Sequence, residues 1–346
     1  MINIMVSKQS SVIKIAINGF GRIGRAAFKI ALTKPGLKVV AINDLMTTDV
    51  LAHLLKYDTV YGVYDKEVSF DDKHLLVDGI KYQVIAEKDP LRLPWQKLGV
   101  QAVLECTGRF TKKIDAAMHL KAGATKVILS APSKGGEVPT VILGVSDLEK
   151  MEDKIISNAS CTTNCISPIA QVMVDEFGVQ KAMMTTIHSY TAEQNLVDGP
   201  PPSLHKDLRR ARAAAQNIVP TTTGAAIATT EVIPKLRGLF DGLAIRVPTI
   251  CVSLSDFTFL LKTKDLTKAK VNSALKKAAH SKRYKGILQV TDQPLVSSDF
   301  IGNPASVTVD LSLTQVVGGN MVKIVGWYDN EWGYSNRLVE LAEKVI

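Results

Sequence analysis

The feature that most constrains this chain lies near its start. An apolar stretch, Val12 to Asn18, runs directly into Gly19-Phe-Gly21-Arg-Ile-Gly24 and then into a helical pattern from Arg25 to Leu32. A second apolar stretch, Lys38 to Ile42, ends on Asn43-Asp44, with Asp44 twenty residues past Gly24. Glycine-rich turns are common. One that sits between a strand and a helix, with an acidic residue closing the next strand at this distance, meets the requirements of a dinucleotide-binding βαβ unit. Gly19 makes the tight turn, Gly21 lets backbone approach a pyrophosphate, and Gly24 lets the helix pack closely, with its N-terminus facing the phosphates. Asp44 would accept hydrogen bonds from the adenosine ribose hydroxyls and repel a 2′-phosphate, which favours NAD over NADP.

Further strand candidates at Ala102 to Cys106, Lys126 to Ser130, Thr140 to Val145 and Ile155 to Ser157, several with helical patterns between them, predict a doubly wound parallel sheet of the Rossmann kind. After about Asn158 the texture changes. Long β-rich segments run from Ala182 to Ser189, Leu243 to Lys262 and Ser306 to Tyr328, the last broken by the hairpin signal Gly318-Gly319-Asn320. Helical segments at Cys161 to Phe177, Asp207 to Ala215, Gly224 to Ile233 and Leu266 to Ser281 would cover one face of this mostly antiparallel sheet, giving a second, α+β domain. The closing segment, Asn336 to Ile346, reads as an amphipathic helix. Two domains suit a chain of 346 residues, beyond the ~250 at which single cores usually stop growing.

With 46% hydrophobic and 22% charged residues the chain is expected to fold as a globule. No stretch approaches the ~20 apolar residues of a membrane span. Met1 to Ser11, which reads as a short extension ahead of the first strand, lacks the apolar core and cleavage site of a signal peptide, so a cytoplasmic location is expected. The net charge of +9 raises the alternative of a nucleic-acid-binding protein with a vestigial NAD fold. The cations, however, never run beyond two in a row, a dispersion that suits a solvated surface or a site for phosphorylated small molecules.

The four cysteines, Cys106, Cys161, Cys165 and Cys251, have neither redox nor zinc spacing and are expected as reduced thiols, with no metal site. Cys161 follows an apparent strand and opens a helical run, where backbone N–H groups and the helix dipole favour a thiolate. His188 ends a strand in the same domain, and the two side chains could act as nucleophile and acid/base. Taken alone, a cysteine can equally be core filler and a histidine a satisfied structural residue. Cys165, one helical turn on, is expected to pack inward, and Cys106 and Cys251 to be structural. His53, His74, His119, His205 and His280 lack an adjacent reactive cluster.

Longer stretches carry a resemblance. Asn18-Gly-Phe-Gly-Arg-Ile-Gly-Arg25, Cys106-Thr-Gly-Arg-Phe110, Ser157-Asn-Ala-Ser-Cys-Thr-Thr-Asn-Cys165, Asp207-Leu-Arg-Arg-Ala-Arg-Ala213, Pro220-Thr-Thr-Thr-Gly-Ala-Ala226, Arg246-Val-Pro-Thr249 and Trp327-Tyr-Asp-Asn-Glu-Trp-Gly-Tyr-Ser335 resemble the phosphorylating glyceraldehyde-3-phosphate dehydrogenases over nearly the whole length. The resemblance implies that Cys161 attacks the aldehyde of glyceraldehyde 3-phosphate, that His188 takes up the proton as hydride leaves for NAD, and that inorganic phosphate resolves the resulting thioester. It implies substrate-phosphate contacts from Thr191 and Arg246, and inorganic-phosphate contacts from Ser160, Thr162, Thr223 and Gly224, with Arg210 nearby. Read without it, Arg209, Arg210 and Arg212 could lie on a solvated helix and Thr221 to Thr223 could cap one. It adds Arg22, Ile23, Thr107 and Ser130 to the cofactor contacts, with Asn330 at the carboxamide and Tyr334 beside the nicotinamide.

Because Asn330 and Tyr334 come from the far C-terminus, the last segment should return to the first domain, giving an NAD-binding domain of residues 1–160 and 329–346 and a catalytic domain of residues 161–328. A homotetramer is implied by the resemblance alone. The loop from Glu193 to Leu204, with Gly199-Pro-Pro-Pro202, looks a few residues longer than in bacterial members, and Ile227 stands where lysine is common. Erythrose-4-phosphate dehydrogenase, which applies the same chemistry to a longer sugar, is the nearest alternative; Thr221-Thr-Thr-Gly-Ala-Ala226 favours the glyceraldehyde enzyme.

Overall fold

The computed structural model describes residues 12–200 and 207–346. The extension Met1 to Ser11, His205 and the Pro201-Pro202 part of the long loop lie outside the described residues. The apolar start forms β1 (Ile13–Asn18), the glycine turn leads into α1 (Arg22–Ala31), and β2 (Leu37–Asn43) follows. Next come α2 (Thr48–Lys56), β3 (Tyr57–Asp58), β4 (Gly62–Val63), β5 (Val68–Asp71), β6 (His74–Val77) and β7 (Ile80–Ile85). A short helix α3 (Trp95–Leu98), β8 (Ala102–Glu105), α4 (Lys113–Lys121), β9 (Lys126–Leu129) and β10 (Ile155–Ser157) complete the first sheet and its cover.

The strand order β10-β9-β8-β1-β2-β7-β6-β5 is parallel from β10 to β7, and antiparallel hairpins add β6 and β5 at one edge. The order reverses at β1, so the glycine turn opens at the switch point where such sheets bind ligands. The edge hairpins were not among the expected strands. Thr140 to Val145, expected as a strand, buries Val141 to Leu143 but forms only an isolated bridge from Thr140 to Ser157. Its backbone pairs with β10 through Val141 N–H to Ser157 O and Ser157 N–H to Pro139 O, and apolar content made this segment look like a longer strand.

The second half contains α5 (Cys161–Phe177), β11 (Val179–Ser189), β12 (Val219–Thr222), α6 (Ala225–Val232), β13 (Phe240–Val247), β14 (Ser253–Leu261) and α7 (Lys268–Ala279). β15 (Leu288–Thr291), β16 (Val307–Asp310), β17 (Gln315–Val317), β18 (Met321–Tyr328) and α8 (Trp332–Val345) close the chain. The sheet order is β12-β13-β11-β14-β18-β16-β15, mostly antiparallel, with β17 pairing β18 across the Gly318-Gly319-Asn320 turn as expected. The segment Leu243 to Lys262 is not one strand. It breaks after Val247, and β13 and β14 end up on opposite sides of β11. The expected helix Asp207 to Ala215 shrinks to a 3-10 turn over Leu208–Ala211, because Asp207 accepts from the Arg209 N–H and the Arg210 side chain is drawn inward.

Two large cores result. Ile15, Ile17, Phe28, Ile42 and Leu104 pack with Leu338, Val339, Leu341 and Ala342 of α8, so the C-terminal helix joins the core of the first sheet. Cys165, Ile169 and Met173 from α5 pack on Phe257, Phe259, Val322 and Ile324 of the second sheet. Each fully buried side chain of this size contributes about 1.5–3 kcal/mol of transfer free energy, which fixes the faces of α5 and leaves its N-terminus at the junction of the two sheets. Among the described residues no helix is long and apolar enough to cross a membrane.

Candidate active site

The dinucleotide end is local. Gly19 has φ +92°, and a Cβ there would stand 2.8 Å from the Thr107 nitrogen; a Cβ on Gly24 would stand 2.0 Å from the Gly19 oxygen. Both positions therefore need glycine, for the turn and for the helix approach respectively. Around Gly21 a Cβ would meet nothing, which leaves its backbone open to a ligand. A cavity of about 490 Å³ is lined by Gly19, Gly21, Asp44, Thr107 and Phe110, among others. Asp44 accepts from the Phe20 N–H at 2.7 Å and the Met46 N–H at 3.0 Å, which fixes its carboxylate at the rim where a ribose would lie. The turn, helix N-terminus and rim carboxylate fit NAD. Arg22 presents only its backbone there: its guanidinium is held by Asp58 and Glu331. Ile23, in the first turn of α1, packs against the core.

Below the turn lies a polar network that sequence patterning did not reveal. Glu105 accepts from the Thr107 N–H at 2.8 Å, the Thr107 hydroxyl and the Asn18 amide, while His119, fully buried, approaches Glu105 at 3.0 Å and accepts from the Trp95 indole. That indole bond leaves His119 Nε2 to donate to Glu105. His119 is thus a structural partner and not a lone packing residue. Ser130 follows β9 and donates its backbone N–H to Glu105 O.

The nucleophile end is assembled from distant segments. β10 reaches α5 through Ala159, a fully buried alanine at φ +52°. Such backbone costs on the order of 1–3 kcal/mol for a non-glycine residue and persists only where surroundings hold it. Two contacts do so: Ala159 N–H donates to the Ser157 hydroxyl, and the Tyr334 hydroxyl from α8 donates to Ala159 O at 2.9 Å. Ser160 then caps α5 by accepting from the Thr163 N–H at 3.0 Å, and Cys161 is the first helical residue. Cys165 is buried inside, as its place one turn later implies.

Cys161 Sγ lies 3.5 Å from His188 Nε2, at the end of β11. His188 Nδ1 lies 2.7 Å from Ser189 O; a carbonyl can only accept, so Nδ1 carries the proton and Nε2 turns its lone pair to the sulfur. Burial, reinforced by Arg246 and Arg210, holds the His188 pKa down at about 3. Burial also pushes the Cys161 thiol up, against the pull of Arg246, Thr162 and the helix amides. The helix terminus thus favours the thiolate as expected, but burial outweighs it. The histidine of the resting pair is thus a neutral base.

β11 and β13 run parallel with His188 opposite Arg246, so strand register sets a cation beside the base. Arg246 Nη1 donates to Ser189 O at 3.1 Å, the carbonyl that orients His188, and to the Thr191 hydroxyl at 3.2 Å; among the described residues its buried Nε has no partner. Arg210 is buried, not on a solvated helix. Its Nε donates to the Thr221 hydroxyl at 2.9 Å and its Nη2 to Thr222 O at 3.0 Å, which places it beside β12. The Glu193 carboxylate bridges the two guanidinia. Thr223 accepts from the Ala225 N–H and Gly224 is the N-cap of α6, so of Thr221 to Thr223 the capping reading holds for Thr223 alone, and the N–H groups of Thr223 and Gly224 stand at a helix N-terminus. The Thr162 hydroxyl is buried against the Tyr328 hydroxyl at 2.9 Å, which also meets Thr186 at 2.8 Å. Asn330 Oδ1 accepts from Ser253, tying its amide to β14. Glu193 and Tyr328 were not singled out from sequence. A buried tyrosine ending an apolar strand needs a partner for its hydroxyl, and that was the available signal for Tyr328.

The comparisons with known proteins agree with this geometry. Residues 13–113 match the model of the glyceraldehyde 3-phosphate dehydrogenase NAD binding domain, and residues 160–330 match that of the C-terminal domain of the same enzymes. This chain belongs to the glyceraldehyde-3-phosphate dehydrogenase family. It is 53% identical to the glyceraldehyde-3-phosphate dehydrogenase of Geobacillus stearothermophilus over 95% of this chain and 97% of that protein. Identity to glyceraldehyde-3-phosphate dehydrogenase 1 of Bacillus subtilis is 52%, and to the enzyme of Streptomyces coelicolor 51%, with the same coverage in each case.

Proposed function

We propose that this chain catalyses the NAD-dependent oxidative phosphorylation of D-glyceraldehyde 3-phosphate to 1,3-bisphosphoglycerate. The observation that carries the reading is Cys161 Sγ at 3.5 Å from a histidine nitrogen whose tautomer is fixed for accepting a proton. The thiol proton passes to His188 Nε2 as sulfur attacks the aldehyde carbon, and returning it to the oxygen gives a neutral hemithioacetal. NAD, held at the glycine turn, supplies the hydride acceptor. His188 then takes the hydroxyl proton as the carbon is oxidised, leaving a thioester on Cys161. Inorganic phosphate attacks that carbonyl and Cys161 leaves as the thiol once the proton returns. Arg246 with Thr191 is suited to the substrate phosphate. Arg210 and the N–H groups at the start of α6, with Ser160 and Thr162 at the start of α5, form the surroundings for the attacking one.

On this reading α8 belongs with an NAD-binding domain of residues 1–160 and 329–346, residues 161–328 form the catalytic domain, and the protein works in the cytoplasm as a homotetramer. The packing of α8 in the first core supports the division. The test is NADH formation from glyceraldehyde 3-phosphate with and without inorganic phosphate, beside erythrose 4-phosphate. Phosphate-dependent turnover with higher kcat/KM for the three-carbon aldehyde is expected; a preference for the longer sugar, or no turnover, would overturn the assignment.

A further inference from the structure

Glu193 stands out because nothing in the reaction calls for a carboxylate at a place meant for anions. One of its oxygens, Oε1, is shared by Arg210 Nη1 and by Arg246 Nη2, the latter at 3.2 Å. The two arginine side chains are only 9% and 11% exposed, whereas the Glu193 side chain is 42% exposed. The cations are thus fixed and desolvated, and the anion between them is the mobile partner. Arg210 is anchored by Thr221 and the Thr222 carbonyl, and Arg246 by Ser189 O and Thr191. Neither needs Glu193 for its position. What Glu193 supplies is charge, since two buried cations facing one another without a counter-ion are costly.

We propose that Glu193 is a built-in, displaceable counter-ion, and that a phosphate reaches this arginine pair by exchanging with its carboxylate. The inference rests on the reading of Arg246 as a contact to the substrate phosphate and Arg210 as one to the attacking phosphate, for both of which inorganic phosphate is the probe. Every anion that enters must break the Glu193 contacts, so the residue holds anion affinity down and keeps the pair from being trapped by phosphate or sulfate. Its half-exposed position lets it turn to solvent without disturbing the core, while the unpartnered Nε of Arg246 is a donor that the glutamate leaves unused and an oxyanion can take. A residue that merely buttressed the loop, or that helped to hold phosphate, would weaken binding when removed. A competing counter-ion strengthens it.

The experiment is calorimetric titration of the whole protein with inorganic phosphate, comparing wild type with Glu193→Gln and Arg246→Gln. The expected result is roughly three- to tenfold tighter binding in Glu193→Gln, as an ion pair of this partial exposure is lost, with the KM for inorganic phosphate or for the aldehyde falling in parallel. Thermal stability without phosphate should fall while the phosphate-induced rise in Tm grows. Equal or weaker phosphate binding in Glu193→Gln, with Arg246→Gln weakening it, would overturn the counter-ion role and leave the pocket standing. Undiminished binding in Arg246→Gln would overturn the pocket itself. Should the glutamine variant fold poorly, Glu193→Asp, with a shorter reach to both guanidinia, carries the same test in the same direction.

Discussion

The two ends of the active cleft are built in opposite ways. At the dinucleotide end, Gly19, Gly21, Gly24 and Asp44 lie within one strand–turn–helix–strand unit, and short-range geometry shapes the site: a positive φ at Gly19 and a helix close enough to exclude a Cβ at Gly24. At the nucleophile end, Cys161, His188, Arg210 and Arg246 come from four separated segments and meet through strand register and buried hydrogen bonds. A local site survives as a motif. An assembled site depends on the second sheet, which brings together side chains far apart in sequence.

The sharpest way to break this contrast is at the nucleophile. Cys161→Ala should lower turnover about 10⁴-fold or more and abolish the acyl-enzyme seen by mass spectrometry, whereas Cys165→Ala should retain the acyl-enzyme; equal losses would mean that helix position does not select the thiol. His188→Asn should lower kcat about 10²- to 10⁴-fold. It also carries a pH signature. With the folded pKa at about 3, below the ordinary 6.5, the unfolded chain binds the proton first, so stability present above pH 6.5 is lost as pH falls towards 3. In acid unfolding of His188→Asn that limb should flatten, and an unchanged limb would refute the buried neutral imidazole.

Arg246→Lys tests the register more gently. Losing a fork that holds both Ser189 O and Thr191 should cut kcat/KM roughly 10- to 100-fold, mainly through KM for the aldehyde; an effect confined to kcat would place Arg246 elsewhere. At the local end, Asp44→Ala should move the NADP-to-NAD ratio of kcat/KM by about tenfold, roughly 1.4 kcal/mol, without altering acylation. An unchanged ratio would remove Asp44 from cofactor choice. Smallest is Tyr334→Phe, which loses one buried hydrogen bond and should cost about 1 kcal/mol in thermal unfolding; no loss would mean that the strained turn at Ala159 is held without Tyr334.

The same division explains what could be read from the chain. The βαβ unit was legible because its constraints are spaced along the backbone, and α5 appeared with its full bounds because Ser160 and the apolar face of Cys165, Ile169 and Met173 mark it. Cys161 and His188 could be nominated, but their pairing could not be derived, since it follows from the way β11 ends beside the start of α5. Arg210 was ambiguous for a physical reason: an Arg-rich segment after an aspartate reads as helix until Thr221, far along the chain, draws its guanidinium inward. Segments 140–145 and 243–262 were misread because apolar content does not reveal which residues find a strand partner.

The hydroxyl that Tyr334 lends to Ala159 O has a consequence for the order of events in synthesis. Tyr334 lies 173 residues beyond Cys161, so it leaves the ribosome long after the sulfur does. Until α8 docks, the left-handed turn before Cys161 has only its bond to Ser157 and lacks the one from Tyr334. A nascent chain can therefore make its NAD-binding turn long before the second hydrogen bond to the turn at Ala159 can form.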